Sequence, residues 1–162
     1  MKNVVCDLCF HHCVLKEGQR GFCRARIVKH GKIICENYGK ITSLALDPIE
    51  KKPLRRFHPG SNILSIGSYG CNMRCPFCQN HEISMSEKIP YHPISPATLV
   101  ELACAKRKDG NIGIAFTYNE PLISYEYVFD CAVAAKAKDL AVVIVSNGMI
   151  ETTKLLALLP YV

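Results

Sequence analysis

A cluster of three cysteines constrains this chain more than any other feature of its sequence. Cys71, Cys75 and Cys78 are separated by three and by two residues. Gly70 and Pro76 keep this stretch from forming an ordinary helix, so we expect a loop whose thiols approach one another. Thiolates select soft metals, and iron–sulfur clusters are normally held by four of them. Three ligands would therefore leave one iron of a 4Fe–4S cluster open to an exogenous ligand.

The cysteine spacing, with Phe77 just before the third cysteine, resembles the cluster motif of the radical S-adenosylmethionine (SAM) enzymes. Other segments are similar to the radical SAM proteins of the AmmeMemoRadiSam system, which are often described as pyruvate formate-lyase activating enzyme-like. These segments are residues 47–53, Phe57, residues 59–61, residues 78–80, Ile83 and Ser84. The resemblance extends along essentially the whole chain. It implies a 4Fe–4S cluster on Cys71, Cys75 and Cys78, with SAM on the open iron and reductive cleavage of SAM to a 5′-deoxyadenosyl radical.

The same resemblance implies a SAM site. Asn119 and Glu120 match part of a Gly-Gly-Glu-Pro motif that holds the amino group of SAM, although Tyr118 and Asn119 stand where glycines are usual. Ser146 and Asn147 resemble a Thr-Asn-Gly segment near the SAM ribose in related activating enzymes. The residue types alone leave simpler interpretations open, namely a carboxylate at a helix start and an ordinary turn. No catalytic residue is assigned.

A second group of cysteines lies near the amino terminus, and its short spacing indicates a compact metal-binding knuckle. Its members are Cys6, Cys9, Cys13 and Cys23. A structural zinc would stabilise so small a unit. An auxiliary iron–sulfur cluster and redox-active thiols without metal are the alternatives. His11 and His12 are candidates to replace a cysteine ligand.

The residues after these cysteines predict a small β unit and then a connector. Residues 26–29 and 32–35 flank His30 and Gly31, which suit a two-residue hairpin turn. A third alternating run, 41–46, is expected to complete the small sheet. Residues 47–61 contain three prolines and are predicted to form an extended connector. The connector has four basic residues, Lys51, Lys52, Arg55 and Arg56. We interpret them as side chains of a solvated loop, with binding of an anionic substrate or partner as the alternative.

The remaining sequence alternates between strand and helix patterns. Strands are predicted at 62–66, 112–117 and 141–145, with a fourth starting at 161. Helices are predicted from Ser95 to Gly110, from Glu120 onward and at 153–159. Such alternation is typical of a parallel sheet with right-handed crossovers.

The predicted fold class is thus α/β. It consists of a partial TIM-like radical SAM β/α barrel preceded by a small cysteine-rich metal-binding β unit. The predicted domains are a metal-binding unit at 1–46, a connector at 47–61 and the first half of the barrel at 62–162. Three βα units are too few for a closed eight-stranded barrel, which takes about 250 residues. We therefore interpret the chain as the amino-terminal portion of a longer protein, with apolar edges exposed.

Composition and charge indicate in which compartment the protein is expected and which kinds of partner are not. Hydrophobic residues make up 49% of the 162 residues and charged ones 21%, as in folded globular proteins. The start of the chain lacks a signal-peptide pattern, and the sequence lacks a membrane-length apolar run, so a cytoplasmic protein without a membrane partner is expected. The formal net charge is +6, but the basic residues are spread out, which argues against nucleic acid.

The sequence supports one principal function and two rivals. The principal one is a radical SAM enzyme that takes electrons from a reductant such as flavodoxin or ferredoxin. Its substrate would be a glycyl-radical protein or a substrate associated with Memo and Amme partner proteins. The first rival is a non-catalytic metal or iron–sulfur module for structure or electron transfer. The second is a zinc-containing nucleic-acid binder, whose affinity would fall steeply with salt.

Overall fold

The centre of the fold is a four-stranded mixed sheet, with its strands in the order Ala141–Ile144, Asn111–Phe116, Asn62–Gly67 and Ser43–Pro48. The computed structural model describes residues 3–86 and 89–162. The strands of the sheet are β6 (Ser43–Pro48), β7 (Asn62–Gly67), β9 (Asn111–Phe116) and β10 (Ala141–Ile144). The other strands are β1 (Val4–Val5), β2 (Val14–Leu15), β3 (Arg26–Lys29), β4 (Lys32–Cys35), β5 (Lys40–Ile41) and β8 (His92–Pro93).

Helices follow the parallel strands along the chain. The α-helices are α1 (His81–Met85), α2 (Pro96–Ala105), α3 (Tyr125–Lys136) and α4 (Thr152–Leu158). Short 3-10 helices are Ile49–Lys51, Lys106–Asp109, Pro121–Ser124 and Leu159–Tyr161. Ser95 caps α2 by accepting a hydrogen bond from the Thr98 amide at 3.1 Å, and Pro96 takes the first helical position, as predicted. Gly110, with a φ of 78°, ends the following 3-10 turn.

The three predicted strands of the βα units are confirmed and form the parallel part of the sheet. β7 pairs with β9, and β9 pairs with β10, both in parallel. Apolar side chains of these strands, such as Ile114 and Phe116, pack with Leu99 of α2 and Val128 of α3 in the main core. The short apolar runs are long enough for strands and are covered by the amphipathic helices, as in other parallel sheets. Within the described residues the sheet does not close, so the TIM-like barrel stays a prediction.

The predicted role of the third alternating run is wrong. Residues 43–48 form β6, which pairs antiparallel with β7 instead of extending the amino-terminal hairpin. The cause is β7 itself, whose side chains at 63–66 are all buried and whose backbone needs partners on both edges. β6 also crosses the boundary predicted between residues 46 and 47. The wider division into domains stays a prediction.

The predicted hairpin is confirmed and is anchored to α3. β3 pairs antiparallel with β4, and His30 and Gly31 have the positive φ angles of 52° and 69° that a tight turn requires. From β3, the buried Arg26 guanidinium donates two hydrogen bonds to the Glu126 carboxylate of α3, at 2.5 and 2.7 Å. This ion pair fixes the hairpin against α3.

The carboxyl-terminal end differs from the prediction. Tyr161 ends a 3-10 helix and packs on Phe129, so a fourth strand does not start there. Leu156 and Leu159 are exposed, in line with the expected apolar surface. In the described part of the chain, no helix has both the length and the apolar character needed to cross a bilayer.

The Arg26–Glu126 pair gives a first testable prediction. Replacing Glu126 with Ala leaves the Arg26 charge buried without its carboxylate, a change that costs ~3–5 kcal/mol in fully buried pairs. Glu126 is itself partly exposed, so we expect a loss of about 2 kcal/mol in the free energy of unfolding, measured by denaturant titration. Glu101→Ala, which removes an exposed carboxylate from α2, is the matched control. Equal losses for the two variants would contradict the anchoring role.

Candidate functional site

Three loops that carry predicted site residues meet at one edge of the sheet. The loop with the three cysteines follows β7, residues 119 and 120 follow β9, and residues 146 and 147 follow β10. Parallel neighbours place their carboxyl ends together, which is where ligands bind in α/β folds. The sheet topology thus assembles residues that are far apart in sequence.

Glu120 is the central residue of this edge. Its side chain is buried, with 4% of the residue exposed. One carboxylate oxygen accepts hydrogen bonds from the Leu122 amide at 2.9 Å and from the Ser146 hydroxyl at 2.8 Å. The other accepts one from the Asn147 amide at 2.8 Å. Because a carboxylate accepts about four hydrogen bonds, one site remains for a further donor such as an ammonium group.

The environment of Glu120 acts on its charge in two opposing ways. Burial raises the pKa of the Glu120 carboxyl, while the donors from Asn147, Leu122 and Ser146 lower it. The net shift is upward, so the charged form is favoured less than in water. A cation bound at the remaining acceptor site would favour the charged carboxylate.

Asn119 holds the start of the cysteine loop. Its side-chain oxygen accepts a hydrogen bond from the Ser68 amide at 3.1 Å. Its side-chain nitrogen donates to the carbonyl of Gly70 at 2.9 Å. The side chain therefore joins the ends of β7 and β9. Its predicted contact with a cofactor stays a prediction.

The three cysteines of the loop are free, partly buried thiols. The Met73 amide donates to the Cys71 sulfur at 3.4 Å, and the Cys78 sulfur lies 3.5 Å from the Ser84 hydroxyl. Burial raises the pKa of the Cys71 thiol, and the nearby Glu120 carboxylate adds to the shift. Among residues 3–86 and 89–162, no three His, Cys, Asp or Glu side chains are arranged around a single metal ion. A 4Fe–4S cluster does not need such convergence, because each thiolate binds a different iron; the donor set fits that group.

The amino-terminal cysteines lie close to one another in the structure. Burial raises the pKa of the Cys23 thiol to about 11, and the charges of Cys9 and Cys6 contribute. Burial also raises the pKa of the Cys9 thiol, with contributions from Cys6 and Cys13. The described residues do not show the four thiols arranged around one ion, so zinc at this position stays a prediction.

The predicted substitute ligands have other contacts. The His11 ring stacks on Phe22 with 4.1 Å between ring centroids, and its Nε2 lies 2.9 Å from the Asn72 carbonyl oxygen. His12 Nε2 lies 3.3 Å from the Glu151 carboxylate. Both histidines therefore connect the amino-terminal unit to the loops of the sheet edge.

The amino-terminal unit is in direct contact with the cysteine loop. The Cys71 amide donates to the Cys23 carbonyl at 3.2 Å. Gly70, with a φ of 88°, lies so near that a Cβ there would stand 2.4 Å from the same carbonyl oxygen. Only glycine fits, because any side chain would collide with this backbone. The two cysteine groups are thus parts of one structure.

Asn72 is a site residue that the sequence analysis did not single out for its side chain. It is buried, and its side chain bonds to the loop after β10. Its side-chain oxygen accepts from the Asn147 side chain at 2.8 Å, and its nitrogen donates to the Met149 carbonyl at 3.0 Å. No sequence pattern signals these contacts, because their partners lie more than 70 residues away.

Lys52 departs from the predicted solvated basic loop, whereas the other basic residues of the connector are exposed as expected: Lys51, Arg55 and Arg56. Its ammonium group is buried and donates to the Asp47 carboxylate at 2.7 Å. Lys51 and the Tyr118 hydroxyl donate to the same carboxylate at 2.9 and 2.8 Å. The only sequence feature that could have indicated a buried lysine was a possible partner, Asp47, five residues earlier. Burial costs less for a lysine with such a partner than for a lone one.

Comparisons with known proteins identify a matching family and two relatives of this chain. Residues 65–161 match the Radical SAM superfamily. The uncharacterized protein MJ0808 of Methanocaldococcus jannaschii is 43% identical over 158 residues, which is 96% of this chain and 46% of the relative. The uncharacterized protein MJ0674 of the same organism is 32% identical over 128 residues, 74% of this chain and 32% of the relative. The chain thus spans about half the length of the first relative and a third of the second.

The contacts of Asn72 give a second prediction. Asn72→Ala removes the hydrogen bonds that join the cysteine loop to the loop after β10. We expect the free energy of unfolding to fall by about 1–2 kcal/mol, since the former partners lose a protein contact. Gln79→Ala, an exposed position in the same loop region, should change it by less than ~0.5 kcal/mol. A variant Asn72→Ala as stable as the control would contradict the bridging role.

Asp47 gives a prediction on pH. Burial alone would raise the pKa of the Asp47 carboxyl, but hydrogen bonds from Lys52, Lys51 and Tyr118 hold it well below its ordinary value of 3.8. A depressed pKa stabilises the fold above the ordinary pKa, and this stabilisation is lost as pH falls below it. The stability difference between the wild type and Asp47→Asn should therefore be constant from pH 7 to about 5 and shrink below about pH 4, in denaturant titrations. A difference that does not change with pH would contradict the depressed pKa.

Proposed function

Because this chain belongs to the radical SAM superfamily, we propose that its cysteine loop holds a 4Fe–4S cluster with SAM on the open iron. When bound, this group supplies the electron for reductive cleavage of SAM to a 5′-deoxyadenosyl radical. The observation that carries the proposal is the buried Glu120 carboxylate beside the start of the cysteine loop: its neighbour Asn119 donates to the Gly70 carbonyl at 2.9 Å, and its charge raises the pKa of the Cys71 thiol.

The residues of this edge have distinct roles in the proposal. Glu120 binds the ammonium of the SAM methionine group through its remaining acceptor site. Ser146 and the Asn147 amide orient the carboxylate by the hydrogen bonds described above. Asn119 holds the first residues of the cysteine loop in place. Ser146 and Asn147 are themselves exposed, so this edge of the sheet lies at the surface.

The supply of electrons is also a proposal. Phe77, next to Cys78, has 82% of its surface exposed. An exposed aromatic beside a cluster ligand suits the docking of a protein electron donor such as flavodoxin or ferredoxin. The formal net charge of +6 favours an acidic partner.

The finer identity of the enzyme rests on the sequence motifs alone. Residues 47–53 and 78–80 support membership of the AmmeMemoRadiSam group, whose activating-enzyme likeness favours hydrogen abstraction from a protein. We propose either a glycyl-radical protein or a substrate tied to Memo and Amme partners as the target. The matched part of this chain covers 46% and 32% of the lengths of the two relatives, so the substrate and partners of the whole protein are proposals.

Electron paramagnetic resonance tests the proposal directly. Anaerobically reconstituted, reduced protein should show a cluster signal that shifts when SAM is added, and 5′-deoxyadenosine should form with excess reductant. Cys75→Ala should abolish the signal, because only two protein ligands remain. Cys104→Ala, at a partly buried cysteine of α2, should retain it. Glu120→Gln should retain the signal but weaken the SAM-induced shift.

Two outcomes would contradict the proposal. If the cluster signal does not change when SAM is added and no 5′-deoxyadenosine forms, the result favours a non-catalytic metal or iron–sulfur module for structure or electron transfer. Zinc in place of iron, with no signal, would overturn the assignment of Cys71, Cys75 and Cys78 as cluster ligands.

A further inference from the structure

We infer that Tyr118 is a positioning residue for SAM binding, held by the buried Asp47–Lys52 ion pair in a backbone conformation that normally requires glycine. This inference rests on the proposed function, because it concerns the placement of Asn119 and Glu120. It also gives a role to Asp47 and Lys52 of the connector, which the proposed function does not use.

The backbone at Tyr118 is strained. Its φ is 71°, in the left-handed region that non-glycine residues rarely adopt. The Asn119 amide donates to the Thr117 carbonyl at 3.0 Å, which closes a three-residue turn centred on Tyr118. A γ-turn with positive φ at its centre is rare and strained. Such strain persists only where surrounding contacts impose it.

The side chain of Tyr118 supplies those contacts. Its hydroxyl donates to the Asp47 carboxylate at 2.8 Å, and the Lys52 ammonium lies 5.0 Å from its ring centroid. Asp47 and Lys52 are only 4% and 5% exposed. A buried ion pair has few alternative positions, so it is a rigid point of attachment for the tyrosine.

The turn at Tyr118 also lies against the end of β7. A Cβ at Gly67 would stand 2.9 Å from both the Thr117 carbonyl oxygen and the Tyr118 Cβ. The end of β7 therefore approaches the turn at backbone distance. Between Gly67 and Asp47, Tyr118 has little freedom to relax.

The turn determines where the next two residues lie. Asn119 bonds to Ser68 and Gly70 at the start of the cysteine loop. Glu120 bonds to Ser146 and Asn147 at the end of β10. If Tyr118 relaxed to a negative φ, both side chains would leave these partners. The tyrosine thus maintains, through its side chain, a conformation that the usual glycine would adopt freely.

A comparison of Tyr118→Ala with Tyr118→Gly tests this inference. Both variants lose the hydroxyl and the ring, so a purely structural role predicts equal effects. Glycine adopts positive φ readily and alanine does not. We therefore expect Tyr118→Ala to weaken SAM binding on the order of ten-fold relative to Tyr118→Gly. Isothermal titration of SAM into the reconstituted chain measures this, and equal affinities for the two variants would overturn the inference.

The role of Asp47 is tested by a double-mutant cycle. Asp47→Asn should weaken SAM binding when residue 118 is tyrosine and leave it unchanged in the Tyr118→Gly background, because glycine needs no support. The same loss in both backgrounds would overturn the link between Asp47 and the turn. Thermal unfolding of each variant separates affinity from stability, since all of them lose buried contacts.

Failure of the proposed function has a different signature. If the wild type, with its cluster loaded, binds no SAM, the proposed function is wrong. The turn is then tested without cluster or SAM, by hydrogen exchange of the Leu122 amide, which bonds to Glu120. Faster exchange in Tyr118→Ala than in Tyr118→Gly supports the positioning role, and equal exchange contradicts it.

Discussion

The buried carboxylate of Glu120 is the constraint on which the candidate site depends. A charge with 4% of its residue exposed needs several donors, and it takes them from its own 3-10 turn and from the loop after β10. Satisfying this one group therefore joins the ends of two parallel strands. The cysteine loop is brought to the same place by Asn119, the neighbouring residue. One acceptor site of the carboxylate remains for a further donor.

The amino-terminal unit is a structural part of this site. It contacts the cysteine loop through the backbone of Cys23, where only a glycine at position 70 fits. It contacts α3 through the pair between Arg26 and Glu126. A unit with little apolar core of its own gains stability from such contacts.

Much of the fold followed from local sequence signals. The strands predicted at 62–66, 112–117 and 141–145 are observed at 62–67, 111–116 and 141–144, and the predicted cap at Ser95 is observed, because short apolar runs, capping residues and glycine stops are local properties. The pairing of β6 was not predicted, because alternation shows that a run is a strand but not which strand is its partner. Lys52 was misread for a similar reason, since a charged side chain near prolines usually lies in solvent.

The sequence by itself indicated the radical SAM superfamily, the three-cysteine loop and the order of the three parallel strands with their helices, since residue spacing and apolar periodicity are local properties of the chain. The comparisons confirmed the superfamily over residues 65–161. Only the tertiary structure decided that Asn72 bridges two loops and that Tyr118 adopts a positive φ against Asp47. These contacts join residues 71 to 77 positions apart, and their partners are selected by the sheet geometry and by the need to satisfy buried polar groups. A single sequence carries no local pattern for either.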